Sequence, residues 1–280
     1  MPRSPDRILG RTSVRDALDS AVIALTAAGV ESPRLDAEVL LAAAMGVDRA
    51  VLIADPARGL DPDAARTFQT WAARRREREP VAYITGRRGF RRLELDVDPR
   101  VLIPRPETEH LVEAGLELPE GARVVDVGTG SGAVALALAD ERPDLELIGT
   151  DASAEALEVA RANADRLGLR VALRHGDLLA GVADADAVLS NPPYVEDGAR
   201  LAPEIVRFEP ALALRAGPDG LDVLRRLVPA VGATRAAFAA FEVGAGQAPA
   251  VAALLHEAGF AAVDTVRDLA GIERVVVGRR

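Results

Sequence analysis

The sequence predicts an α/β protein in which a small all-helical segment precedes a mostly parallel, doubly wound sheet. Apolar residues recur at helical spacing, framed by capping signals, up to about residue 80. After about residue 104 short apolar runs alternate with amphipathic stretches, as βαβ units do. A glycine-rich loop directly after one of these runs points to a ligand at the carboxyl edge of the sheet.

Val14, Ala17, Leu18, Ala21, Val22 and Leu25 follow the i, i+3, i+4, i+7 pattern, with Ser13 as N-cap and Gly29 as stop. Ser32-Pro33 opens a second helix that ends near Gly46, and Asp61-Pro62 opens a third that carries Phe68 and Trp71 and stops before Pro80. Arg74, Arg75, Arg76 and Arg78 read as a solvated helix face, with docking of a partner protein as the alternative use. Residues 81–85 and 90–97 read as a β-hairpin or two short strands, with Gly89 and Asp98-Pro99 as turns. The expected organisation is a helical domain over 1–80, a hairpin linker over 81–103 and an α/β domain over 104–280. Strands are expected at 123–127, 145–150, 171–173, 187–190, 236–243, 261–266 and 274–277. Helices follow the glycine loop and cover 153–167, 219–229 and 247–258.

Hydrophobic residues make up 49% of the 280 residues but aromatics only 3%, so the core must be built mainly from Ala, Val and Leu. Lysine is absent and all 34 basic residues are arginine. A net charge of −9 argues against a nonspecific nucleic-acid binder, though not against a local basic patch. Without cysteine there is neither a disulfide nor a thiolate metal site, and His110, His175 and His256 have no metal-ligand spacing. No apolar run approaches the ~18 residues of a membrane span. Residues 1–15 are charged and lack a signal core, so a cytoplasmic protein is expected.

Asn191-Pro192-Pro193-Tyr194 follows the apolar run 187–190, at the end of an expected strand. A planar NH2 conjugated to a π system is a poor nucleophile because its lone pair is delocalised. The Asn191 side-chain carbonyl and the Pro192 backbone carbonyl can each accept one of its N–H bonds, which turns the lone pair toward an electrophile. The prolines stiffen the backbone and Pro192 has no N–H to compete; the Tyr194 ring can stack on the planar group. Upstream stands Asp126-Val127-Gly128-Thr129-Gly130-Ser131-Gly132, whose Gly128, Gly130 and Ala133 also fit a dinucleotide fingerprint. Asn-Pro alone is also a common turn starter. The two motifs in this order read together as methyl transfer from S-adenosylmethionine to an amide or amino nitrogen.

The glycines allow close approach of the backbone to the cofactor, and the helix N-terminus favours its carboxylate. Asp151, at the end of the next strand, can accept hydrogen bonds from both ribose hydroxyls while also capping the following helix. Asp177 can take the adenine amino group, with Leu178 against the ring; the plainer role for Asp177 is a turn residue. No general base is needed, since transfer from a sulfonium depends on orientation and desolvation.

On these motifs the chain resembles the bacterial HemK/PrmC family, protein-glutamine methyltransferases of peptide chain release factors, over nearly its whole length. The resemblance includes Pro80 to Gly86 with Phe90, Ile103-Pro104-Arg105-Pro106-Glu107-Thr108-Glu109, Glu209-Pro210, Asp219-Gly220-Leu221, Glu242-Val243-Gly244 with Gln247, and Asp268 to Gly271 with Arg274. Arg215-Ala216-Gly217 departs from it, where the family usually has two glycines, and Leu178 replaces an aromatic found in some members. The resemblance implies a Rossmann-like, seven-stranded class I methyltransferase domain behind a helical domain and a hairpin. It also implies the acceptor, the Gln of the Gly-Gly-Gln loop of class I release factors; composition and charge add the expectation of no membrane, metal or direct nucleic-acid partner. Three alternatives stay open on the sequence: a nucleic-acid amino-methyltransferase, which would need a basic groove; a ribosomal-protein glutamine methyltransferase; and a binding module without turnover.

Overall fold

The computed structural model describes residues 12–182 and 184–280, so the N-terminal stretch discussed above lies, through residue 11, outside the described residues. The chain divides into two compact units, one formed by residues 1–85 with 203–208 and the other by 86–202 with 209–280.

The first unit is helical. It contains α1 (Val14–Ala27), α2 (Pro33–Met45), α3 (Arg49–Ala54), α4 (Pro62–Arg76) and α5 (Val81–Thr85). Ser13 caps α1 by accepting from the Asp16 N–H, Asp61 caps α4 by accepting from Asp63 and Ala64, and Gly46 ends α2 in the left-handed conformation. Asp48 caps the short α3, which the sequence pattern did not single out. The buried stripe Val14, Leu18, Leu25, Leu40, Leu41, Leu52, Phe68 and Ile84 is the core of this unit.

Residues 81–85 are helical, not extended. The Tyr83 and Ile84 N–H groups both donate to the Pro80 carbonyl at 3.0 Å, and the turn buries Ala82, Tyr83 and Ile84. The β-branched residues that suggested a strand give way to packing of Ile84 into the helical core.

The second unit opens with a hairpin, β1 (Arg87–Phe90) and β2 (Leu93–Asp96). Gly89 lies inside β1, and the turn is made by Arg91 at φ 52° with Arg92. The Arg91 N–H donates to Glu109, and its guanidinium grips both oxygens of Glu141 at 2.9 and 2.8 Å. A bidentate bond of this kind makes the hairpin part of the second unit and not a free linker.

There follow α6 (Glu109–Leu116), β3 (Arg123–Val127), α7 (Ala133–Glu141), β4 (Glu146–Asp151), α8 (Ala154–Leu167), β5 (Ala172–His175), β6 (Ala187–Ser190), α9 (Pro203–Phe208), α10 (Asp222–Gly232), β7 (Phe238–Glu242), α11 (Ala248–Glu257), β8 (Ala262–Arg267) and β9 (Glu273–Arg279). The seven-stranded sheet has the order β5-β4-β3-β6-β7-β9-β8. All neighbours are parallel except β9, which is antiparallel to β7 and β8. One face is covered by Leu111 and Val112 of α6 and Val134, Leu136 and Leu138 of α7. The other is covered by Leu224, Leu227 and Val231 of α10 and Val251 and Leu255 of α11. The chain runs outward from β3 through β5, then returns to lay β6 on the other side of β3. That reversal is the switch point at which open α/β sheets bind ligands. No helix among the described residues is long and apolar enough to cross a membrane.

α9 belongs to the first unit. Its Glu204 accepts from Arg78 Nε and Nη2 at 2.7 Å each and from Arg75 Nη2 at 3.0 Å, while Arg75 Nε donates to Asp36 at 2.7 Å. Arg75 is only 6% exposed. The arginine run is therefore not a uniformly solvated face, since Arg75 and Arg78 are spent inside the unit and Arg76 is the exposed member. Glu204→Ala should strand two partly buried guanidinium groups and lower the unfolding free energy by about 2 kcal/mol, less than the full cost of breaking a deeply buried pair. Asp63→Asn, which removes the exposed partner of Arg66, should leave it almost unchanged. Urea midpoints of the two variants measure the difference.

Candidate active site

Strands β3 and β6 end side by side. Val127 pairs with Ser190, whose hydroxyl donates to the Val127 carbonyl at 2.6 Å. The glycine loop and the Asn191 segment therefore leave adjacent strand ends.

The loop is fixed from beneath by Asp126, which is 1% exposed. Its carboxyl accepts from the Thr129 hydroxyl at 2.6 Å and from the Ala135 N–H at 3.3 Å. Burial outweighs these bonds and pushes its pKa up to about 6. The Gly128 and Thr129 N–H groups both donate to the Thr150 carbonyl at the end of β4. Gly128, Gly130 and Gly132 have φ of 72°, 57° and 84°, a region costly for residues with a side chain. A Cβ at Gly132 would strike Leu136 at 2.8 Å, whereas at Gly128 and Gly130 it would meet nothing within 4 Å. Gly132 is needed for packing of α7; Gly128 and Gly130 face open space that a ligand can fill.

Asp151 ends β4 beside this loop. One carboxylate oxygen accepts from the Gly130 N–H at 2.9 Å and the other from the Ser153 N–H at 2.8 Å. Ser153 caps α8 by accepting from the Ala156 N–H, so Asp151 braces the loop and the helix start together. Each oxygen keeps a lone pair for a ribose hydroxyl. The Gly176 N–H donates to the Asp151 carbonyl, which brings the Asp177 turn alongside. The Asp177 carboxylate itself is drawn to Arg226 of α10 in an exposed ion pair. Leu178 is left-handed at φ 53°, its carbonyl accepts from the Thr150 hydroxyl, and its side chain packs at the margin of the core under α10.

At the end of β6, Asn191 donates its side-chain NH2 to the Thr108 hydroxyl at 3.0 Å, leaving its carbonyl oxygen uncommitted. Thr108 is buried near Glu242, which ends β7. The Tyr194 hydroxyl donates to Glu242 Oε1 at 3.1 Å. Glu242 is 1% exposed, and its other oxygen finds no partner among the described residues. Burial pushes its pKa up to about 7, against the lowering influence of the nearby Thr108 and Tyr194 hydroxyls. Burial and the neighbouring Glu242 likewise push the Tyr194 phenol up, which keeps it a donor.

The backbone of the Asn191–Tyr194 segment is held as firmly as its side chains. Gln247 Nε2 donates to the Tyr194 carbonyl at 3.0 Å and to the Asp219 carbonyl at 3.1 Å, while its oxygen accepts from the Gly244 N–H at 2.8 Å. A Cβ at Gly220, which has φ 74°, would lie 2.1 Å from the Tyr194 carbonyl oxygen, so only glycine admits this approach. Arg105 pairs with Glu209, which also accepts from the Ile103 N–H at 3.3 Å. Ala216 is buried but not left-handed; the position that requires glycine is Gly217 at φ 81°. The Ala216 departure therefore leaves the loop unstrained.

Gly128 to Gly132, Asp151, and Asn191 to Tyr194 thus gather at one carboxyl edge, with Asp177 and Leu178 on the adjoining turn. Sequence reasoning assigned no role to Thr108, Glu242 or Gln247, although all three lie in motifs that marked the family resemblance. Their partners are 83, 48 and 53 residues away. No cluster of three or more metal-ligating side chains occurs among the described residues.

A family model described as the PrmC N-terminal domain matches residues 16–86, and one described as the methyltransferase small domain matches residues 95–245. The release factor glutamine methyltransferase of Caulobacter vibrioides is 43% identical over 262 residues, covering 90% of this chain and 91% of its own. That of Geobacter sulfurreducens is 40% identical over 274 residues, covering 95% and 96%. Among solved structures, the hMettl16 catalytic domain aligns with a TM-score of 0.53 at 17% identity, covering 77% of this chain and 81% of that one. A methyltransferase from Pyrococcus furiosus aligns with a TM-score of 0.50 at 16% identity, covering 67% and 88%. At such identities the structural matches speak for the class I methyltransferase fold alone. The sequence matches run through both units and almost the full length of the relatives, and by them the chain belongs to the release factor glutamine methyltransferase family.

Proposed function

We propose that this protein methylates the side-chain amide nitrogen of a glutamine in class I peptide chain release factors, the Gln of the Gly-Gly-Gln loop, using S-adenosylmethionine. The observation that carries the reading is the Asn191 amide, tied by its nitrogen to Thr108 and left with a free carbonyl beside the glycine loop.

The site suits the cofactor. Gly128 and Gly130 leave room where side chains would stand, the start of α7 favours a carboxylate, and Asp151 retains acceptor capacity for a ribose. Asp177 and Leu178 stand where the adenine would lie, with Asp177 shared with Arg226. Bound there, S-adenosylmethionine supplies an electrophilic methyl group on a sulfonium. Asn191 accepts one N–H of the acceptor amide and the Pro192 carbonyl the other, so that the nitrogen lone pair leaves conjugation. Tyr194, pinned at its hydroxyl by Glu242 and at its carbonyl by Gln247, offers a fixed ring face to the planar amide. Placement of this kind replaces a general base. An acceptor in the translation machinery supports the expectation of a cytoplasmic protein.

A three-residue loop carries little discrimination, so the folded release factor requires a second recognition surface, which we assign to the first unit. With Arg75 and Arg78 engaged internally, the exposed Ile23 and Ile53 are its better candidates.

Asn191→Ala should lower the methylation rate on the order of 100-fold, about 3 kcal/mol, with nearly unchanged cofactor affinity. Near-normal turnover would remove Asn191 from the reaction. Asp151→Ala should instead weaken S-adenosylmethionine binding by about 1.5–3 kcal/mol for each bond lost; equal affinities of variant and wild type in calorimetry would dismiss the ribose role. Ile23→Glu with Ile53→Glu should raise KM for an intact release factor and leave cofactor affinity alone. An unaltered KM would place the second surface elsewhere.

A further inference from the structure

Two turns of the second unit stand at the carboxyl edge beside the Asn191–Tyr194 segment, and each holds a leucine out in water. The first joins β8 to β9. Val275 of β9 lies opposite Glu242, and the Val243 N–H donates to the Arg274 carbonyl at 2.9 Å. Because β9 is antiparallel to β7, it begins where β7 ends, so the turn before it projects beyond the edge. At ~3.3 Å per residue, the stretch from Val275 back to Ile272 carries the turn about 10 Å past the level of Glu242, whose carboxyl holds the Tyr194 hydroxyl. Asp268 fixes its shape by accepting from the N–H groups of Ala270 at 2.9 Å and Ile272 at 3.0 Å and from Arg274 Nε at 2.8 Å. Leu269 at the tip is fully exposed.

The second is the short helical turn Ala211–Ala213. Glu209, buried and paired with Arg105, holds its start. Its far end bridges the residue after Tyr194: the Val195 N–H donates to the Leu214 carbonyl at 2.9 Å, and the Ala216 N–H to the Val195 carbonyl at 3.0 Å. Leu212 in this turn is 66% exposed.

A lone exposed leucine is ordinary on a protein surface. At these two turns, however, the neighbouring charges are already spent. Arg274 is engaged by Asp268, and Arg267 by Glu273 and the Gly271 carbonyl. Arg215 donates to the carbonyls of Glu196, Asp197 and Ala199, and Arg105 pairs with Glu209. What the turns offer outward is apolar, Leu269 with Ala270 and Leu212 with Ala211. A nucleic-acid acceptor would call for free cations here, whereas an apolar protein surface would not. Turns whose backbone is already ordered also lose little entropy when a partner covers them.

We propose that Leu212 and Leu269 are anchors for the acceptor protein, seated on an apolar surface of the release factor that flanks its glutamine loop. This rests on the acceptor reading given above and deepens it, because whatever brings a glutamine to Asn191 must cover the edge at which both turns stand. It is separate from the surface assigned to the first unit.

The chain has no cysteine, so a single thiol reports on each place in the full-length protein. Leu212→Cys and Leu269→Cys should be alkylated severalfold more slowly with a saturating, unmodified class I release factor than without it. Glu120→Cys, exposed before β3 at the opposite edge, should react equally in both conditions. Leu212→Gln and Leu269→Gln should each raise KM for the intact release factor about tenfold, the value of burying one leucine side chain. They should leave kcat, cofactor affinity and KM for a short Gly-Gly-Gln peptide unchanged, and a Tm equal to the wild type shows that they are folded. A normal KM in either glutamine variant, or a thiol as reactive with release factor as without, overturns the anchor at that position and leaves the functional reading standing. Thiols shielded by a second copy of this chain, seen as protection that grows with enzyme concentration alone, overturn the anchors as well. A wild type that transfers no methyl group to release factor overturns the functional reading, and with it the occupant assigned to these turns.

Discussion

The pairing of β3 with β6 sets the geometry of the whole carboxyl edge. Val127 opposite Ser190 fixes how far the glycine loop stands from Asn191, and the short bond from the Ser190 hydroxyl to the Val127 carbonyl locks that register at its last rung. A parallel ladder has evenly spaced bonds, so a slip would move the Asn191 segment along the sheet and turn its side chains to the opposite face. The neighbours on either side, β4 and β7, contribute their own ends to the same edge, Asp151 from one and Glu242 from the other. Four strand termini in one row thus provide a brace for the glycine loop, the loop itself, Asn191 and the carboxyl that holds the Tyr194 hydroxyl.

Two of these groups are buried carboxyls, and both are held away from their preferred charge state. Asp126 rises from 3.8 to about 6 and Glu242 from 4.5 to about 7, burial being the main cause in each. The native state therefore binds these protons more tightly than the unfolded chain. Their contribution to stability is undiminished below the unfolded values and is lost progressively as pH rises through each folded value. At neutral pH the interior carries a cost that buys no packing. In return, the Thr129 hydroxyl and the Ala135 N–H at one carboxyl, and the Tyr194 hydroxyl at the other, have acceptors of defined polarity.

Much of the architecture could be read from local signals. Ser13, Asp61 and Gly46 frame their helices as capping chemistry requires, and β3 and β6 fall where the apolar runs placed them. Local signals failed where tertiary packing overrode propensity, as at Val81–Thr85, whose strand-like composition forms a helical turn under the first core. The hairpin turn was misplaced because Gly89 is the obvious breaker, yet Arg91 takes the left-handed position with its guanidinium and N–H both engaged. The site divides the same way. The glycines and Asn191, each expected from a short motif, do meet at one carboxyl edge. Thr108, Glu242 and Gln247 act through partners brought close only by the sheet order, and nothing in spacing along the chain announces such a meeting.

The membership of α9 in the helical unit bears on how the chain is made. Arg78 and its partner Glu204 are separated by 126 residues, and the intervening chain contains β1 to β6. A growing chain that has reached Thr85 has its first five helices, with Asp36 available to Arg75, but lacks the carboxylate that pairs with Arg78 and completes the pairing of Arg75. Closing so long a loop costs entropy that later contacts must offset. Most of the helical unit is thus made before the second unit yet completed only after β6, and its two inward-facing arginines wait on a segment that follows Asn191 by 13 residues (204 − 191).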